Sequence, residues 1–430
     1  KIVAEALGNK WGYEKLRELC RIGPRLSGSQ NSMKAILWAK QTMEQMGLDG
    51  VELQPVMVPH WVRGKVEEAQ IMGGKELAIA SLGGSIGTPE KGITAQVLEV
   101  HSFEELHKKK ELARGKIIFF NRPFDPTKTN TFLGYVGAVD QRSRGAIEAA
   151  KAGGVAALVR SVTPKYDNVP HVGSMHYADS VKKVPSAAVG VIDADYLSKN
   201  LKDNPELRVN IKLSCQTLPD IQSYNVIGEI LGSEKPDEIV VVSGHFDSWD
   251  KGEGAHDDGA GSMQALEVLH LIKKLGIHPR RTIRCVLFIN EENGVRGGKE
   301  YARLADSSTT SQHIAAIESD RGGFSPRGFS VSQGTGAIGY FTNWLPLLRP
   351  AGIDWIRKGY SGVDIAQMKK CRVLLGLVPD SQRYFDFHHS DNDIFEAVHP
   401  REMELGSAAM AILAYLISEE GIPDSVQYTN

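Results

Sequence analysis

The sequence predicts an α/β fold, a mixed sheet flanked by helices and interrupted by an inserted β-rich module. Three observations carry that expectation. Two apolar runs, Ile239-Val240-Val241-Val242 and Ile283 to Ile289, have the β-branched texture of buried strands. Between them, Ser262 to Leu275 reads as a helix closed by Gly276, which suits the C′ position. From about Lys65 the texture changes to short strands and Gly-rich turns, and the α/β pattern returns only at Tyr224.

Size and composition bound the rest. A chain of 430 residues buries a large core and has room for more than one domain. Hydrophobic content of 41% and charged content of 24% are ordinary for a globular protein. The net charge of −2 gives no sign of a nucleic-acid or membrane-surface partner. No apolar run approaches the roughly 20 residues that cross a bilayer. Cys20, Cys215, Cys285 and Cys371 lie far apart without a Cys-x-x-Cys pair, so neither a thiolate zinc site nor a disulfide scaffold is expected. The first residue is Lys1, which fits a processed secretory leader as well as an arbitrary starting point.

In chain order, Tyr13 to Ile22 is amphipathic and is broken by Gly23-Pro24-Arg25-Leu26-Ser27-Gly28-Ser29. A second helix is expected from Ser32 to Met46, with Gly47 as terminator, and a strand from Val51 to Val58. Residues 1–64 thus form the first part of one domain, 65–217 the inserted module, and 218–430 the domain's second part. The module carries strand-like Ile93 to Val100, Ile117 to Phe120, Val155 to Val159 and Pro185 to Val191, with one helix from about Ser143 to Ala152. Beyond it, Val226 to Ile230, Ile314 to Ile317 and Leu374 to Val378 read as strands. Pro400 to Ile417 is a closing helix with Pro in its first turn.

Five ligand-type residues recur at a strand end or in the loop just after one: His245, Asp257, Glu292, Asp320 and His389. So many ionisable groups at one edge of a hydrophobic sheet repel one another unless cations balance them. Two imidazoles and three carboxylates suit a pair of zinc ions, with one carboxylate bridging. Asp247, two residues past His245, is placed to orient an imidazole. Glu291 precedes a ligand and points elsewhere, as a general base beside the metals would.

The ordered set His245-x-Asp247, Asp257-Asp258-Gly259-Ala260-Gly261, Glu291-Glu292, Asp320 and His389-Ser390-x-x-Asp393 resembles the M28 family of di-zinc aminopeptidases and carboxypeptidases. Leu26-Ser27-Gly28-Ser29 and the inserted module, which looks like a protease-associated domain, extend the likeness to nearly the whole chain. The resemblance implies a zinc-exopeptidase-type fold holding two Zn2+ per chain. Asp257 would bridge, with His245 and Asp320 on one ion and Glu292 and His389 on the other. Asp247, Asp258 and Asp393 would stand behind the ligands, and Glu291 would serve as general base and then acid. A cis Asp257-Asp258 peptide is implied as well. His388, Arg321, Tyr360 and Asp364 are candidate substrate contacts: Arg321 for a substrate carboxylate, Asp364 for a free amine. The implied enzyme is a secreted or periplasmic homodimer cleaving short peptides, dipeptides with free termini above all.

Taken singly, His245 reads as a core histidine, Asp257-Asp258-Gly259 as an acidic turn and Glu291-Glu292 as a solvated pair. Five such signals in this order outweigh those readings. An aminopeptidase of the same family is the nearest alternative. A one-zinc glutaminyl cyclase is disfavoured by the complete ligand set, and a non-catalytic receptor-like relative by Glu291. Gly334-Thr335-Gly336-Ala337-Ile338-Gly339 matches a dinucleotide fingerprint, but without a long helix after it the stretch is expected to be a glycine-rich loop near the site.

Overall fold

A computed structural model describes residues 1–423. The chain divides into two compact units, the first formed by Lys1–Val58, Asp220–Ser381 and the segment from Asp393 onward, the second by Pro59–Pro219 and Gln382–Asn392.

The first unit is built on an eight-stranded mixed sheet. Its strands lie in the order Asp49–Val62, Gln216–Ile230, Arg281–Phe288, Lys235–His245, Gln312–Glu318, Val373–Pro379, Pro326–Gln333 and Trp355–Lys358. The four central strands run parallel, with His245 beside Phe288 and Ser243 beside Glu318. Their carboxyl ends therefore open at one edge of the sheet, where loops of an α/β fold carry function. Alternation along Lys235–His245 explains why it is central. Val240 and Val242 enter the core on one face, Ile239 and Val241 the core on the other, and all four are buried.

Helices cover both faces. Ala260–Lys274, buried along almost its whole length, packs with Pro400–Glu420 and Trp11–Cys20 on one side. On the other, Arg296–Ser307 lays Tyr301 and Ala302 against Val286 and Phe288. The expected helix at Ser32 starts earlier, at Gln30, because the Ser29 hydroxyl accepts the Ser32 N–H at 3.1 Å and caps it. Gly47 and Gly276 take φ of +65° and +64° just past their helices. Pro326–Gln333 and Trp355–Lys358 escape the sequence pattern because serine and arginine interrupt their apolar residues.

The glycine-rich stretch at Gly334 does not lie near the strand ends that carry the ligand-type residues. Pro326–Gln333 runs antiparallel to its neighbour and pairs Gln333 with Leu374, so the strand delivers Gly334 to the opposite edge of the sheet.

The second unit has its own eight-stranded sheet. Ile93–Val100, Ile117–Phe120, Ala156–Arg160 and Ser186–Val189 are parallel and pack Ile118, Phe120, Ala157 and Val159 with Ala146 and Ala149 of the helix Val139–Lys151. A further helix, Val191–Asp203, occupies the position where the sequence pattern ends a strand. All four cysteines are buried and free. Among the described residues, no helix is long and apolar enough to cross a membrane.

Candidate metal centre

His245 ends the strand Lys235–His245 and is 1% exposed. Its Nδ1 lies 3.0 Å from the Asp247 carbonyl oxygen. A carbonyl only accepts, so Nδ1 carries the hydrogen and the neutral ring presents its lone pair at Nε2. That nitrogen is 3.2 Å from Asp257 Oδ1 and 3.4 Å from Asp320 Oδ1. A lone pair facing two carboxylate oxygens is repulsive unless a cation sits among them. Burial alone depresses the His245 pKa, but the Asp257 and Asp320 carboxylates lift it well above the usual histidine range. A divalent ion takes the same place as that proton.

Within the first unit, two overlapping donor sets result among the described residues. Ligand atoms of His245, Asp257 and Glu292 lie within 4.8 Å of one another, as do those of His245, Asp258 and Asp320. The side chains reach this spot from three loops: Asp257 and Asp258 precede the helix Ala260–Lys274, Glu292 follows Arg281–Phe288, and Asp320 follows Gln312–Glu318. The Asp257-Asp258 peptide is cis. Imidazole nitrogen with aspartate and glutamate oxygen is a donor set zinc accepts readily.

Behind the donors stands a frame of hydrogen bonds. Asp258 accepts the His245 N–H at 3.0 Å and the Gly261 N–H at 3.1 Å. Asp393 accepts the His256 and Asp257 N–H groups at 2.7 and 3.1 Å, and burial pushes its pKa up to about 8. Asp247 receives the Glu291 N–H at 3.0 Å and the Ser27 hydroxyl at 2.9 Å, so it holds the Glu291 backbone with its carboxylate and His245 with its carbonyl. Glu291 itself is half-buried, and burial with the charges of Asp320 and Glu292 raises its pKa well above the usual glutamate range. Glu318, 1% exposed, accepts the Ile365 N–H at 2.9 Å and is pushed up to about 7 by burial and by Asp320.

Several of these groups carry no motif of their own. Arg25 is fully buried and donates to the carbonyls of Phe246 (3.1 Å), Glu253 (2.6 Å) and Gly254 (3.0 Å), latching the loop that leaves His245. His256 stacks on Phe324 at 4.2 Å and accepts the Gly323 N–H at 3.1 Å, which pins the loop carrying Asp320. The break at Pro24-Arg25 is the one sequence signal that pointed toward the latch.

Arg321 donates to the Tyr360 carbonyl at 3.0 Å, with its guanidinium 6.0 Å from the Tyr360 ring, and Tyr360 is 52% exposed. Asp364 is fully buried beside Gly298, and its own N–H points at Glu318. His388 and His389 belong to Gln382–Asn392 in the second unit, ring on ring at 3.5 Å.

Comparison with known proteins agrees with this chemistry. The model of peptidase family M28 matches residues 225–411. Human carboxypeptidase Q is 40% identical over 419 residues, which is 96% of this chain and 87% of that protein. The crystal structure of a peptidase M28 precursor from Shewanella amazonensis superposes with a TM-score of 0.91 at 32% identity, covering 98% of this chain and 96% of the other. A zinc aminopeptidase from Bacillus subtilis shares the fold with a TM-score of 0.69 at 19% identity, covering 97% of each chain. The chain belongs to peptidase family M28 and is a metallopeptidase.

Proposed function

We propose that this metallopeptidase is a di-zinc exopeptidase of short peptides, and of dipeptides with free termini in particular. The observation that carries the proposal is the position of His245 Nε2, which faces Asp257 Oδ1 at 3.2 Å and Asp320 Oδ1 at 3.4 Å. In this reading Asp257 would serve both ions, His245 and Asp320 would hold one, and Glu292 and His389 would hold the other. Bound there, zinc supplies a Lewis acid for a peptide carbonyl and makes water acidic near neutral pH. The protein's own part follows from its geometry. Glu291, tethered through its N–H to Asp247, takes a proton from the attacking water and returns it to the leaving amine. Asp247, Asp258 and Asp393 keep the donors from rotating away. Arg321, Tyr360, His388 and Asp364 remain the candidate substrate contacts. Asp364 reaches a substrate amine only if its loop opens, because its carboxylate is buried.

The preference for free dipeptides, a homodimeric state and an extracytoplasmic location rest on the similarity to carboxypeptidase Q. Residues 65–217 are proposed to be a protease-associated-like insertion. An aminopeptidase is the second reading, favoured by the fold shared with the Bacillus subtilis enzyme. A dipeptide panel in free, amino-blocked and carboxyl-blocked forms, with Glu291→Gln as control, tests the proposal. Cleavage of free dipeptides, abolished by either block and reduced about 10²–10⁴-fold in Glu291→Gln, supports it. Cleavage that survives a carboxyl block but not an amino block selects the aminopeptidase. Equal inertness of wild type and variant returns the chain to a binding role, and one zinc per chain to a cyclase.

A further inference from the structure

His388 and His389 close a short aromatic segment, Gln382–Asn392, that packs among the inserted residues of the second unit. Thr163 Oγ1 donates to the Phe385 carbonyl at 2.6 Å, the Phe385 ring stacks on Tyr135 at 4.7 Å, and Asn392 donates to Asp167 at 3.0 Å. The decisive contacts come from the inserted stretch His171-Val172-Gly173. His171 Nδ1–H donates to the His388 carbonyl at 2.7 Å, and the Val172 N–H donates to the His389 carbonyl at 2.9 Å. The Val172 carbonyl lies 3.1 Å from His389 Nδ1. A carbonyl accepts, so His389 is protonated at Nδ1 and, when neutral, offers its lone pair at Nε2.

Arg142 completes the arrangement. It donates to the same Val172 carbonyl at 3.2 Å and to the Tyr135 hydroxyl at 2.8 Å. Its Nη1 is 3.5 Å from His389 Nδ1, but two N–H donors do not bond one another; both point at the carbonyl they share. The guanidinium lies flat on Gly173, where a Cβ would come within 2.4 Å of Arg142 Cζ, so a larger residue would displace it. The whole holds His389 at φ +60°, a left-handed conformation that a histidine keeps only when its surroundings insist.

We propose that His171 and Arg142 are positioning residues for zinc. Together with the Val172 backbone, they set the tautomer and backbone conformation of His389, and through it the affinity for the zinc that His389 holds. This rests on the reading of His389 as a zinc ligand. The side chain that binds would then be tuned by residues more than two hundred positions earlier in the chain, through main-chain carbonyls that no motif encodes.

Chelator-competition titration of zinc on the full chain tests it, comparing wild type, His171→Leu, His171→Asn, Arg142→Met and His389→Ala. Loss of the outer hydrogen bond to a ligand weakens metal binding by about 10–100-fold. His171→Leu and Arg142→Met are therefore expected to weaken one of the two zincs by that factor. His171→Asn, whose amide N–H can replace the imidazole Nδ1–H, restores binding to within a few fold, and His389→Ala loses that zinc. If His389→Ala loses a zinc while His171→Leu and Arg142→Met bind like wild type, the inference is overturned and the ligand assignment stands. If His389→Ala still binds two zincs like wild type, the ligand assignment fails and the inference falls with it. Should His171→Leu not fold, Arg142→Met decides alone: unchanged zinc affinity overturns the inference, and weakening of one zinc supports it.

Discussion

His245 donates its Nδ1–H to the backbone carbonyl of Asp247, 3.0 Å away, and that bond decides which nitrogen faces Asp257 and Asp320. The Asp247 carboxylate, by contrast, is 3.9 Å from the same nitrogen and is engaged by the Glu291 N–H and the Ser27 hydroxyl. The residue thus acts on His245 through its main chain and on the Glu291 loop through its side chain.

The division predicts a contrast between two variants. Asp247→Ala removes the acceptor of the Glu291 N–H and should lower kcat by about 10–100-fold while zinc content is unchanged. Asp247→Asn still offers an oxygen to that N–H, and the Ser27 hydroxyl can turn to accept, so most activity should remain. Steady-state kinetics with metal analysis on both proteins checks this. An Asn variant as weak as the Ala variant would mean that the carboxylate's charge, not its hydrogen bond, is what matters.

Arg25 predicts a stability effect in a residue that touches no ligand. Arg25→Met takes its donor from three carbonyls, those of Phe246 and Gly254, which are buried, and of Glu253, which is half-buried. Gly254 keeps the Gly259 N–H at 3.0 Å, so the cost falls mainly on the Phe246 carbonyl, and an unsatisfied buried polar group costs about 1–3 kcal/mol. Denaturant unfolding should show a lower midpoint at unchanged slope. A midpoint equal to wild type would refute the latch.

Far from the centre, Glu267 of helix Ala260–Lys274 and Glu404 of helix Pro400–Glu420 are both buried against the start of Trp11–Cys20. Tyr13 N–H donates to Glu404 Oε1 at 2.9 Å, and Gly12 leaves room for Glu267 where a Cβ would meet its Oε2 at 2.2 Å. Burial, then the neighbouring Glu404, raises Glu267 well above its ordinary value of 4.5, and burial raises Glu404 too. A carboxyl with a raised folded pKa binds more protons folded than unfolded. Its stability is therefore intact below the ordinary value and is lost as pH rises through 4.5 toward the folded pKa. Glu267→Gln removes this loss, so its stability relative to wild type should climb from pH 5 to pH 8. Parallel pH profiles of the unfolding midpoint would contradict the raised Glu267 pKa.

How much of this was legible in the sequence depends on whether a side chain or the backbone does the work. His245, Asp257, Glu292 and Asp320 could be picked out as candidates because each stands at a strand end or in the loop after one. The parallel register, His245 beside Phe288 and Ser243 beside Glu318, then brings them to one edge. The segment holding Arg25 and Ser27 stood out as a break in the helical pattern, but what they bind stayed hidden because their partners lie more than two hundred residues away. The Asp247 carbonyl stayed hidden because every residue has one. The Gly334 stretch was misplaced because a strand's direction in a mixed sheet leaves no trace in its composition. The packing of Gln382–Asn392 among the inserted residues is likewise a matter of tertiary contact.

Zinc stoichiometry tests the central claim most directly. Plasma-emission analysis of the full chain, reconstituted with zinc and freed of loosely bound metal, should find two zinc ions in wild type and fewer in His245→Ala and Asp257→Ala. Two zincs retained by either variant, or none held by wild type, would contradict the account.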